Sequence, residues 1–340
     1  MLSKKEEKIL HSIIIASDND PTKPEFPPEN PKFPATPTYK IKVPGFTNVW
    51  YKDESYNPTG THKDRMAWEM VVTYRDFLLA KKGGQIKNLP RMSLITNGSA
   101  GFAIQTRLKE YDLPALKCLV DAQLKVGVKN ILRQIGCEMY ETDLSKKPFS
   151  WQEILKLTHN PNGIEITSSE ALDPTTRFYD WLSYEIINNS PDYCFIPFGT
   201  GNLYENILNI NKKEVSGNTH DPRFQGVVAK LRRCHFIGVS VDNPRSKADK
   251  LYSSHLPFVH FGEQWIRLYR YAAYCGEKSD VYLLQEEFLD EAITLGNKLG
   301  LDFEPSGIAG LGMLLQMKDS LPKDAKIMIV STGKTKYREF

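Results

Sequence analysis

Apolar residues follow two rhythms along most of the chain. Short blocks at Tyr39–Val43, Asn48–Lys52, Met92–Thr96, Leu116–Val120, Glu138–Tyr140, Ile164–Thr167, Tyr193–Pro197, Phe236–Val241 and Lys326–Ser331 read as strands. Helices are predicted between them at Ala103–Tyr111, Val126–Ile135, Phe178–Ile187, Leu203–Ile210, Leu289–Leu299 and Ile308–Lys318. Another opens near Lys63 and runs through Met70, and an amphipathic helix is predicted over residues 3–16. Alternating β and α units predict mainly parallel sheets with helices on both faces. The units fall into two sets. The expected architecture is therefore two three-layer α/β/α domains with a cleft between them. Residues 62–170 would form the smaller domain; residues 1–61 and 171–340 would form the larger.

The stretches outside this rhythm are fewer. Residues 17–37 read as a Pro-rich arm, with seven prolines between Pro21 and Pro37. It is either a solvated leader or an arm wrapping a neighbouring subunit. Asn211–His220 is polar and reads as a loop. Residues 242–280 are rich in aromatics, among them Phe258, Phe261, Trp265, Tyr269, Tyr271 and Tyr274, which suit a core or an interface better than a substrate wall. No internal repeat or coiled coil is found.

Composition narrows the function classes. At 340 residues the chain can bury a substantial core. A formal net charge of +3 gives no footing for nucleic acid or an anionic membrane. No apolar run approaches the roughly 20 residues that span a bilayer, and the start lacks a signal-peptide pattern. Five scattered cysteines, Cys118, Cys137, Cys194, Cys234 and Cys275, read as reduced, mostly buried thiols. The seven histidines show no metal-ligand spacing. The expectation is a cytoplasmic protein without a metal.

The run Lys52-Asp53-Glu54-Ser55-Tyr56-Asn57-Pro58-Thr59-Gly60-Thr61-His62-Lys63-Asp64-Arg65 carries the candidate chemistry. Asn-Pro-Thr-Gly is a turn: Pro58 fixes φ and Gly60 permits backbone shapes that other residues resist. Lys63 follows at a helix start, where its amine is aimed and can form a Schiff base with a carbonyl. On its own such a lysine is more often a solvated surface charge.

The wording of the run resembles the Lys-x-Glu-x-x-Asn-Pro-Thr-Gly-Ser-Phe-Lys-Asp-Arg signature of the fold type II, tryptophan synthase β-like enzymes that use pyridoxal 5′-phosphate (PLP). Threonine synthase is the nearest by motif wording. Thr61 and His62 depart from it. The resemblance covers most of the chain after residue 35 and implies that PLP sits in the cleft with Lys63 as its Schiff-base lysine.

Four further segments bear on this. Phe198-Gly199-Thr200-Gly201-Asn202-Leu203 lies between a strand and a helix and resembles the family's phosphate loop, which implies phosphate contacts from Gly199 to Leu203. Thr96-Asn97-Gly98-Ser99-Ala100 resembles the Ser-Ser-Gly-Asn-x-Gly turn, whose Asn contacts the phenolic oxygen of PLP and whose loop holds the substrate carboxylate. Here Asn97 and Ser99 are inverted, so Ser99 stands at the Asn position. Ser331-Thr332 ends a buried strand where the family places a hydroxyl on the pyridine nitrogen; Thr332 aligns best and Ser331 second. Glu304-Pro305-Ser306-Gly307 resembles the Glu-Pro-Ser-Gly helix start beside the ring. Around the lysine, Asp53, Glu54, Asp64 and Arg65 read as a salt-bridge set fixing the turn. Proton transfer by His62 is a second reading of that residue.

The resemblance implies a lyase or synthase acting on an amino acid by β- or γ-elimination or replacement. Threonine synthase-like chemistry comes first, cysteine synthase-like β-replacement second, and a serine or threonine dehydratase third. A pseudoenzyme with the same fold, serving as a binding or regulatory partner, is the non-enzymatic alternative. A homodimer is the expected assembly.

Overall fold

A computed structural model describes residues 3–16, 35–145, 149–167, 178–215, 233–252 and 279–337. Most of the Pro-rich arm, the aromatic-rich stretch 253–278 and Cys275 lie outside the described residues.

Two sheets organise the chain. The larger contains β1 (Thr38–Ile41), β2 (Val49–Asp53), β7 (Tyr193–Pro197), β8 (His235–Ser240), β9 (Ser279–Leu283) and β10 (Ile327–Ser331). Its order is β1-β2-β10-β7-β8-β9, with β1 antiparallel and the remaining pairs parallel. The smaller is wholly parallel, in the order β5 (Glu138–Thr142), β4 (Lys117–Asp121), β3 (Met92–Ile95), β6 (Ile164–Glu165).

Strand periodicity explains the layers. In β10, Met328 and Val330 join one core, while Ile327 and Ile329 join another on the opposite face. In β7, Cys194 and Ile196 face the first and Phe195 the second. Both faces are buried, so the strand reads as an unbroken apolar run. The second core is closed by α8 (Glu286–Lys298) and α9 (Ala309–Gln316). The first is shared by both sheets and contains residues of α2 (Lys63–Lys82), α3 (Ser99–Glu110), α6 (Asp180–Ile187) and α7 (Asn202–Val215). On the outer face of the smaller sheet, Ile95 and Leu119 pack with Ile154 of α5 (Trp151–Leu157). Among the described residues, the remaining α-helices are α1 (Lys4–Ala16) and α4 (Val126–Gln134).

Three elements differ from the sequence reading. Helix α5 lacks a long periodic run, but a capping box starts it: Ser150 accepts from the Glu153 N–H and Glu153 accepts from the Ser150 N–H. Strand β9 is a parallel edge strand held by β8, beyond the reach of local pattern. Asn211–Val215 continues α7 instead of forming a loop; the rest of that predicted loop, from residue 216, lies outside the described residues. Among the described residues, no helix is long and apolar enough to cross a membrane. Cys118, Cys137, Cys194 and Cys234 are buried thiols, and none of the four is in a disulfide.

Candidate active site

Lys63 is set by a buried polar scaffold beneath its turn. After β2 the chain makes a short 3-10 turn, Glu54–Tyr56. Asn57 Nδ2 donates to the Glu54 carbonyl and carboxylate at 3.0 and 2.7 Å. Arg65 clasps Glu54 through two parallel N–H···O bonds of 3.0 Å. Its Nη1 donates to Glu185 of α6 at 2.7 Å, and Lys52 Nζ meets the other Glu185 oxygen. Burial works to raise the Glu185 carboxyl, but the Arg65 and Lys52 cations outweigh it and hold the group below its ordinary value. Thr59 donates both its N–H and its hydroxyl to Asp64. Burial nevertheless raises the Asp64 carboxyl to about 6.

The end of β10 then crosses this turn. The Lys334 N–H donates to the Gly60 carbonyl at 2.8 Å, Lys336 to Thr59 at 2.9 Å, and His62 to Thr332 at 3.3 Å. The crossing is so close that a Cβ on Gly60 would lie 2.1 Å from the Lys334 carbonyl oxygen. Gly60 also holds φ +85°, which disfavours any side chain there.

One cavity collects most of the residues singled out from sequence. Lys63 borders it, as do Thr96, Asn97, Gly98, Ser99 and Ala100 at the junction of β3 and α3. Gly199, Thr200, Gly201, Asn202 and Leu203 border it from the junction of β7 and α7. Glu304 and Thr332 complete the wall from the C-terminal part of the chain. Ser331 is not among the residues bordering the cavity; it is buried, and its Oγ accepts from the Gly333 N–H.

The β7–α7 turn has the chemistry of an anion cradle. Gly201 holds φ +86°. Among the described residues, the backbone N–H groups of Gly199, Thr200 and Gly201 have no acceptor. They stand at the N-terminus of a 14-residue helix, where unpaired N–H groups and the helix dipole both favour negative charge. Across the cavity, Ser99 is the first residue of α3, preceded by Gly98 at φ +126°.

The contacts of three residues were invisible to sequence reasoning. Lys63 Nζ donates to the Tyr179 hydroxyl at 2.8 Å. His62 lines the cavity, packs against Tyr179 with the rings tilted and their centres 5.3 Å apart, and directs Nδ1 at the Thr332 carbonyl. Burial, together with the adjacent Lys63 charge, drives the His62 imidazole well below its ordinary value, so it is neutral at pH 7. Lys250, from the turn after β8, reaches Glu304 at 2.5 Å, Ser99 Oγ at 3.0 Å and Thr335 Oγ1 at 3.1 Å. Nothing in the stretch Ser246–Lys250 marks that lysine, because its partners come from residues far away in the chain.

In this two-sheet α/β protein a lysine amine, a turn of N–H groups at a helix start and several hydroxyl-bearing residues border one cavity. The chain matches the family described as pyridoxal-phosphate dependent enzyme over residues 32–333, and it belongs to that family. Members of the family use pyridoxal 5′-phosphate. A 114-residue segment is 31% identical to cysteine synthase of Aquifex aeolicus (strain VF5), a match covering 32% of this chain and 33% of that protein. The fold is similar to that of an O-acetylserine dependent cystathionine beta-synthase from Helicobacter pylori, with TM-score 0.62, 16% identity and 89% and 94% of the two chains covered. It is also similar to a hydrogen sulfide-producing enzyme from Fusobacterium nucleatum, with TM-score 0.60, 19% identity and 90% and 97% covered.

Proposed function

We propose that this protein is a PLP-dependent lyase or synthase that removes or replaces a leaving group at Cβ or Cγ of an amino acid. The observation that carries the reading is the convergence of the Lys63 amine, the unpaired N–H groups of Gly199–Gly201 and the Thr332 hydroxyl on one cavity. Lys63 would hold the cofactor through Nζ, the turn from Gly199 to Leu203 would take its phosphate, and Thr332 would meet the ring nitrogen. When bound, the cofactor supplies an electron sink for the pair left when a proton leaves Cα. The N–H groups opening α3, with Asn97 beside them, would bind the substrate carboxylate. Lys63 Nζ would then take the Cα proton as general base. A neutral hydroxyl at Thr332, in place of a carboxylate, suits elimination and replacement better than transamination.

Motif wording favours threonine synthase-like chemistry. The segment similar to a cysteine synthase, and a fold neighbour described as O-acetylserine dependent, favour β-replacement. The test incubates the PLP-loaded protein with O-acetylserine plus sulfide and, separately, with O-phosphohomoserine, and identifies products by mass spectrometry. Cysteine selects β-replacement, threonine selects the first reading, and turnover of neither overturns both.

Substitution of Gly201 by Val should weaken cofactor retention. A β-branched residue at φ +86° is strained by about 1–3 kcal/mol and crowds the cradle. Expected is an increase in PLP Kd of roughly tenfold or more, measured by equilibrium dialysis; undiminished affinity would remove the phosphate from this turn.

Ser99 also has an expected signature. Its Oγ accepts from Lys250 and shares a 2.6 Å bond with Thr335, whose own oxygen accepts from Lys250. We assign Ser99 and Lys250 jointly to the family's Asn position beside the ring. Ser99→Ala and Lys250→Met should then each move the pH midpoint of the cofactor's visible band, and Asn97→Ala should leave it in place. The opposite pattern would reverse the roles of Asn97 and Ser99.

A further inference from the structure

Tyr179 immediately precedes α6, and its side chain is only 1% exposed. Its hydroxyl lies 2.8 Å from Lys63 Nζ, and that amine sits 5.3 Å from the centre of its ring. The His62 ring packs against the same ring at 5.3 Å. Among the described residues, neither the Tyr179 hydroxyl nor the Lys63 amine has another hydrogen-bond partner.

Packing alone does not account for this hydroxyl. A phenylalanine would fill the same volume without burying a polar group, and a buried hydroxyl costs free energy unless it is bonded. The bond it makes ends on the amine that the proposed reaction needs. A phenol donates to a neutral amine and accepts from an ammonium, so the contact survives both forms of the lysine.

We propose that Tyr179 is a positioning residue whose hydroxyl holds the free amine of Lys63 at the cavity wall. The inference rests on the reading of Lys63 as the cofactor lysine. The hydroxyl fixes Nζ before the cofactor is loaded, and again when an incoming substrate amine has released it. A lysine side chain otherwise samples many rotamers, and restricting it keeps the nucleophile within reach of the carbonyl carbon. No bond to Tyr179 forms or breaks. The proton that Nζ takes from the substrate remains on Nζ, where the phenol oxygen accepts a hydrogen bond from the ammonium.

The test uses stripped full-length protein, wild type and Tyr179→Phe, with two probes. PLP carries the aldehyde that Lys63 attacks; pyridoxine 5′-phosphate carries an alcohol and binds without a covalent link. In Tyr179→Phe the visible band should develop about tenfold more slowly with PLP, the size of one lost hydrogen bond. Affinity for pyridoxine 5′-phosphate should be unchanged, which also verifies that the variant is folded. Equal loading rates in the two proteins overturn the role of Tyr179 and leave the reading of Lys63 standing. Parallel loss of pyridoxine 5′-phosphate binding makes Tyr179 a structural residue and overturns the proposal. Failure of the wild type itself to load on Lys63 overturns the functional reading and this inference with it.

Discussion

Replacing Lys63 by Ala should abolish the covalent attachment of PLP while leaving the protein folded. Lys63 is only half-buried at the first position of α2, and its Nζ bonds one hydroxyl, so its removal takes away little packing. Borohydride reduction of the loaded wild type should leave a pyridoxyl group on the peptide containing Lys63. Lys63→Ala should show no visible band and no adduct. Activity should fall by at least ~10²-fold, because the variant loses the base as well as the covalent anchor. The informative failure is an adduct on Lys250, which also lines the cavity. Lys250 is held by the Glu304 carboxylate and two hydroxyls, contacts it would have to give up to reach a bound aldehyde. Attachment there would overturn both the lysine assignment and this account of Lys250.

The largest loss of stability is expected from Arg65→Leu. Its guanidinium lies among Glu54, Glu185 and Thr36. Glu54 is fully buried. Removing one partner of a buried ionic cluster leaves the others uncompensated, a cost of about 3–5 kcal/mol. Denaturant unfolding should register that loss. The double variant Arg65→Leu/Glu54→Leu should recover part of it, since the carboxylate left unpaired is removed as well. The loss should also depend on pH. The Glu185 carboxyl is held below 4.5 in the folded chain, so its stabilisation is present above that value and fades as the pH falls through the lowered one. Arg65→Leu should flatten that acid limb. An unchanged unfolding midpoint would mean that the cluster is decorative. Arg65 stands two residues after Lys63, so the same variant should also load PLP poorly.

Much of the site was legible because backbone chemistry is local. Asn57–Gly60 announces a turn, and the Gly199–Gly201 run between a strand and a helix announces an N-terminal cradle. Each depends on φ freedom and helix geometry that few neighbouring residues dictate. The same locality explains the parallel strands, whose apolar runs declare burial on both faces. Ser331 and Thr332 stand at the limit of that legibility. The sequence supplies two adjacent hydroxyls; Ser331 ends β10, paired beside Asp53 of β2, and is buried, while Thr332, the next residue, borders the cavity. Beyond the limit lie Lys250, Tyr179 and Glu185. Their partners stand 54 to 151, 116, and 120 to 133 residues away in the chain. No local pattern encodes such separations. What the sequence alone determined were the turns, helix starts and buried strands; what only the tertiary structure decided was which charged and hydroxyl groups meet. Side-chain hydrogen bonds are short-ranged, and only the packing of the two sheets around their shared core brings those atoms within reach.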